Sequence, residues 1–231
     1  MRRTWSLWFA TSWLIGCGDV KGMEMADARS ADAAVNPCAP SQCLLLDDFS
    51  GTSLDTAVWG SVVHGGATAT VSNGHLTLQL PAAIDAYADV YSLIGFGAGT
   101  SLEASVTFSP GQFYDHKAVG FSSGRIGNQC DVGETDAAMF RGQDGDGYIE
   151  AKAANAYSCN RTATMYPGAT NKLQIAWSAD RVEFRQNDVV LAPVVSNVPT
   201  GLLPIRFSAY TYTIAPTSPV QIDIDYVFVK R

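Results

Sequence analysis

Charge is scarce in this sequence. Asp, Glu, Lys and Arg make up 16% of its 231 residues, and the formal net charge is -7. A nucleic-acid surface needs clustered cations to displace counterions, so that class of partner is excluded. Docking on anionic lipid through a basic face is excluded on the same ground. Histidine is scarcer still, confined to His64, His75 and His116. With no signature such as Gly-x-Ser-x-Gly beside them, each reads as a surface or turn residue rather than a base. No stretch of useful length keeps a helical period. What is plentiful, Gly, Thr, Ser and Val, suits a β-rich globular protein. A chain of this size buries about 70% of its unfolded surface, enough for one self-sufficient domain.

The stretch from Asn171 to Ala192, NKLQIAWSADRVEFRQNDVVLA, sets the pattern. Leu173, Ile175 and Trp177 share one face, and Val182 and Phe184 share the next. Period-two alternation of this kind predicts half-buried strands. Ser178 to Arg181 and Asn187-Asp188 supply the turns of a three-stranded antiparallel meander, with Trp177 as its core anchor.

Residues 1–17 read as a targeting segment. Arg2 and Arg3 form a basic start, and Trp5 to Gly16 is apolar but too short to span a bilayer. The run ends in Leu14-Ile15-Gly16-Cys17, which resembles the lipobox of bacterial lipoproteins. That resemblance implies cleavage before Cys17 and lipid attachment to its thiol, hence an exported domain held to the cell envelope by its lipid anchor alone. Residues 18–43 are small and charged and predict a flexible tether, and the folded domain is expected over 44–231. Removing Cys17 leaves Cys38, Cys43, Cys130 and Cys159. An even set in an exported protein suggests two disulfides, most simply Cys38–Cys43 and Cys130–Cys159, the second worth about 3–4 kcal/mol as a loop closure. The spacing lacks the paired ligands of a zinc site.

From Leu44 onward the pattern is β almost throughout. Strands are expected near Leu44–Phe49, Leu54–Trp59, Ala69–Val71, His75–Leu80, Tyr87–Leu93, Ser101–Phe108, Val119–Ser122, Asp136–Arg141, Tyr148–Ala153, Pro204–Tyr212 and Val220–Lys230, with a hairpin turn at Asn73-Gly74. About a dozen strands without a helix predict an all-β, two-sheet antiparallel sandwich. In order along the chain come DDFSGTSLDTAVWG (47–60), SNGHLTLQL (72–80), SLEASVTFS (101–109), LQIAWSADRVEFRQNDVVL (173–191), PIRFSAY (204–210) and VQIDIDYVFVKR (220–231). This ordered set resembles the concanavalin A-like jelly rolls, the laminin-G-like and family 16 glucanase group. The resemblance implies a lectin-like jelly-roll sandwich over 44–231 and leaves function open, since the fold hosts enzymes, lectins and adhesion modules.

The glucanases of that group carry a strand written Glu-x-Asp-x-Glu, or with one more residue before the last Glu. The nearest match is Glu134-Thr135-Asp136-Ala137-Ala138-Met139. Glu134 and Asp136 are the candidate acids, but the third place, Ala138 or Met139, holds none. A retaining glycosidase needs two carboxyls, so the stretch reads as a surface acidic turn and the domain as non-catalytic. Asp223 and Asp225 share a strand face and read as solvated, with Ile222, Ile224 and Tyr226 turned to the core. Asp144 and Asp146 in a Gly-rich turn are the only candidate metal carboxylates. No cofactor is expected, and calcium, which sandwiches of this group can bind, is left open. Tyr148, Tyr157, Tyr210 and Tyr212 are the candidate rings for stacking on a polysaccharide or other glycan. The expectation is an envelope lipoprotein with a carbohydrate-binding sandwich. The alternatives are a divergent family 16 glycoside hydrolase and an envelope adhesion or protein-interaction module.

Overall fold

The computed structural model describes residues 43–111, 115–125, 134–143, 146–154, 156–162, 168–191 and 193–231, with backbone alone at 157 and 159–162. Cys17, Cys38, Cys130, Asp144 and the side chains of Tyr157 and Cys159 lie outside the described residues. Cys43 is disulfide-bonded, to a partner that lies outside them too.

Strands are numbered in chain order, and every pairing is antiparallel. The first sheet runs β13 (Val189–Val190), β12 (Val182–Gln186), β11 (Thr170–Trp177), β6 (Thr100–Phe108), β15 (Val220–Lys230), β4 (His75–Leu80), β3 (Thr68–Ser72). A further strand, β1 (Cys43–Asp47), pairs with the second half of β15 where β4 no longer reaches. The second sheet runs β10 (Ala156–Thr162), β9 (Asp146–Ala153), β8 (Ala137–Gln143), β7 (Asp115–Ser122), β14 (Leu203–Thr211), β5 (Tyr87–Phe96), β2 (Trp59–His64). The described residues contain no helix, and so none long and apolar enough to cross a membrane. This is the expected jelly-roll sandwich.

The turns follow from residue chemistry. Asn73 and Gly74 both take positive φ, as do Asn187 and Asp188. Two-residue turns of that hand match the twist of the strands they join, and Asn, Asp and Gly tolerate them best. The meander of β11, β12 and β13 is as expected.

The core lies between the sheets. Leu173, Ile175, Trp177, Val182 and Phe184 of the first sheet are at most 2% exposed, as are Val119, Phe121, Phe140, Ile205 and Phe207 of the second. Phe121 meets Trp177 with ring centroids 5.4 Å apart, and Phe140 meets Phe184 edge-on at 5.2 Å. Trp59 closes the other end against Phe207 at 5.8 Å and donates Nε1–H to Asp47 at 2.7 Å.

Two expectations are corrected. Leu54 to Val58 is not strand: the Asp55 carboxylate accepts from Ala57 N–H at 2.9 Å and its carbonyl from Trp59 N–H at 2.8 Å. This local bonding gives the backbone a turn instead of a ladder, so the strand starts at Trp59. Tyr226 does not face the core. The β15 register slips between Ile224 and Tyr226, and one extra residue reverses the alternation beyond it. Ile222 and Ile224 stay buried, while Tyr226 stacks on Phe228 and donates to Glu103 at 2.9 Å. The adjacent Asp223 and Asp225 are held by side chains: Thr77 donates to the first at 2.7 Å, Ser105 to the second at 2.7 Å, and His75 pairs with Asp225 at 2.8 Å.

Candidate functional site

The outer face of the second sheet is polar yet mostly buried. Its register sets side chains in three rows. The first is His64, Tyr87, Tyr210, His116, Gln143, Asp146; the second is Val62, Asp89, Ser208, Ala118, Arg141, Tyr148; the third is Gly60, Tyr91, Arg206, Gly120, Met139, Glu150.

At one side of this lattice two acids converge. Arg141 Nη1 donates to Glu134 Oε1 at 3.2 Å and to Glu150 Oε2 at 2.8 Å. The three residues are at most 1% exposed. Two oxygens that share one nitrogen stand no more than about 6 Å apart, so the two carboxyls are close enough to act on one bond. Burial pushes the Glu150 carboxyl up to about 7, with the Arg141 charge opposing and the Glu134 charge adding to the rise. Glu150 Oε1 is buried and makes no hydrogen bond.

Glu134 is therefore not a surface acid but a buried one, and a second buried acid lies beside it. Met139 occupies the third place of the acid pattern, and Glu150 stands directly opposite it on β9. Glu150, Arg141 and the buried Lys152 were all missed in the sequence. The pairing of Gln143 with Asp146 fixes which residues of β8 and β9 face each other, and this register was the signal that could have found Glu150. Asp136 lies apart from the pair in the turn before β8, where it accepts from Ala154 N–H at 3.2 Å and Thr135 Oγ1–H at 3.0 Å.

The aromatic candidates gather at the opposite side. Tyr210 and Tyr212 stack 5.6 Å apart at 14°. His116 packs on both, at 6.0 and 4.9 Å, and is fully buried, not a surface residue as its sequence context suggested. Tyr87 stacks on His64 at 5.3 Å. Tyr148, half-buried, lies beside Arg141 on β9, apart from that group. Between the two sides Asp89 bonds Arg206 and Ser208, with its carboxyl raised by burial against the pull of Arg206. Asp146 pairs with Gln143 at the hairpin end. Among the described residues no group of three or more acidic, His or Cys side chains is arranged to hold a metal.

The first sheet's outer face carries a pocket of about 240 Å³ lined by Glu103, Gln174, Glu183, Arg185 and Phe228 among others. Its acids are held by neighbours: Gln174 and Tyr226 donate to Glu103, and Arg185 to Glu183.

No protein-family model matches the chain, and no curated protein does. Solved structures do. A β-glucanase of Bacillus licheniformis superposes with a TM-score of 0.64 at 9% identity, over 81% of this chain and 97% of that one. The catalytic domain of an endo-1,3-β-glucanase (laminarinase) from Thermotoga petrophila gives 0.61 at 14%, over 82% and 97%. A β-1,3-glucanase from Mycobacterium marinum gives 0.57 at 16%, over 81% and 98%. The expectation of a non-enzyme is overturned: structures sharing this fold are named as glucanases and glycoside hydrolases. The chain's fold is thus a concanavalin A-like jelly roll of the kind that those glucanases have.

Proposed function

We propose that the chain is a retaining glycoside hydrolase acting on polysaccharide across the outer face of its second sheet. The observation that carries this is the pair Glu134 and Glu150 on one Arg141 nitrogen, with the second carboxyl raised to about 7. A proton-bearing acid near neutral pH suits a proton donor. Glu150 gives its proton to the glycosidic oxygen as the bond from that oxygen to the anomeric carbon breaks. Glu134 bonds to the anomeric carbon from the other face. Water then displaces Glu134 and returns a proton to Glu150. Arg141 fixes the spacing of the two carboxyls. Their burial strengthens each charge contact and requires that bound sugar part the face over Arg141. Tyr148, Tyr210 and Tyr212 supply rings on which sugar faces stack.

The test is reducing-end release from a panel of polysaccharides. Glu134→Gln and Glu150→Gln should each lower it by about a hundredfold or more, with melting behaviour confirming that both variants fold. Turnover retained in either folded variant would reduce the pair to a structural ion network. The Leu14–Cys17 segment supports tethering of this activity to the envelope through lipid on Cys17. A Cys17→Ser chain that stays with the membrane fraction would overturn that tether.

A further inference from the structure

We propose that the polysaccharide is acidic, and that Arg125 holds its carboxylate or sulfate groups at the β5–β14 side of the face. This rests on the saccharide role of the face and names the substrate class.

Arg125 follows β7 after Ser123 and Gly124 and is exposed. Its guanidinium carbon stands 3.9 Å from the centre of the Tyr87 ring and 5.2 Å from that of Tyr210. Those rings continue into His64 on one side and Tyr212 on the other. The cation is therefore held over an aromatic floor. Among the described residues it makes no hydrogen bond and no close ion pair, although its charge pulls on the Asp89 carboxyl. The acid below it, Asp89, is already taken by Arg206 and Ser208. Arg206 itself lies over Tyr91 at 4.7 Å, with Nε buried and without a hydrogen bond.

A neutral sugar needs only the rings. A guanidinium placed over them with its N–H fork uncommitted matches a planar carboxylate or a sulfate ester, which it meets with two parallel hydrogen bonds. The chain carries a net charge of -7, which repels an acidic polymer, so a local cation has to provide the attraction. Tyr210 is three strands and four residues from Glu150 along the register, on the order of 20 Å. Arg125 thus acts on binding of a distant sugar unit and leaves bond breaking to the acids.

The test measures binding to matched pairs on the Glu150→Gln protein, so that it does not depend on turnover. One pair is polygalacturonate and its methyl ester; the other is a sulfated galactan and its desulfated form. The acidic member of at least one pair should bind about tenfold tighter than its neutral partner, with the preference fading at high salt. Which pair responds tells carboxylate from sulfate. Arg125→Ala should remove the preference, and Arg125→Lys should restore only part of it. Arg185→Ala, on the first sheet, removes one charge elsewhere and should leave it intact. Equal binding within both pairs, no binding to any of the four, or a preference that survives Arg125→Ala would overturn the proposal. An acidic preference in a chain that cleaves nothing would sink the hydrolase reading alone; cleavage of neutral chains without that preference would sink this one alone.

Discussion

Replacing Glu150 with Gln separates a proton-carrying acid from a structural one through stability as well as rate. The folded carboxyl titrates at about 7, against an ordinary 4.5. At about 1.36 kcal/mol per pH unit, ionising it in the fold is about 3 kcal/mol less favourable than in the open chain. Between about pH 4.5 and pH 7 the fold binds more protons than the unfolded chain, so this group's contribution makes stability fall as pH rises. The variant has no such group. Its advantage over the parent chain should therefore grow by about 3 kcal/mol from pH 4 to pH 8. Titrations distant from Glu150 are common to both proteins and drop out of the difference, and Glu134, which feels the Glu150 charge, is removed from it by making the same comparison in a Glu134→Gln background. Urea unfolding followed by tryptophan fluorescence measures it, since Trp59 and Trp177 are only 2% exposed. A difference that stays flat across that range would refute the assignment of a raised carboxyl.

Other outcomes follow from single contacts. Gly120→Ala places a Cβ 2.4 Å from the Ala138 carbonyl oxygen and 2.6 Å from Met139 Cα, at a φ of 155°; backbone must shift in the middle of the sheet, and thermal unfolding should show a loss of about 2–3 kcal/mol. Arg206→Met leaves Asp89, 3% exposed, without its bonded countercharge and with only the weaker pull of Arg125. The loss should be about 3–5 kcal/mol at neutral pH and should shrink in acid, where the raised Asp89 carboxyl takes up a proton. Asp47→Ala removes the acceptor of both Trp59 Nε1–H and Phe49 N–H and should cost about 1–3 kcal/mol by chemical denaturation.

Most of the sandwich was legible because its first sheet behaves simply. Trp177 and Phe184 alternate with polar neighbours that do reach solvent, and Asn187-Asp188 names its own turn. The second sheet breaks that rule. In Tyr148-Ile149-Glu150-Ala151-Lys152 the polar phase looks solvated, yet Glu150 and Lys152 are at most 1% exposed. Alternation records two faces but not what covers them. Glu134 was found through the family pattern, and its partner was sought along the same strand. It lies across the hairpin instead, in a place that register sets and linear spacing does not. Tyr226 was misplaced by a single extra residue at the bulge, which leaves no compositional mark. Arg125 carried no signal at all, because its rings come from β5 and β14, far away in the chain.

The stereochemistry of the first-formed product tests the paired-acid account most directly. The proposed route makes Glu134, held with Glu150 on one Arg141 nitrogen, the nucleophile, so cleavage should proceed with retention. Proton NMR of the anomeric signal in the first minutes of polysaccharide cleavage should show the product with the anomeric configuration of the bond that was cut. An inverted product, or the absence of any cleavage across acidic and neutral chains, would contradict the account.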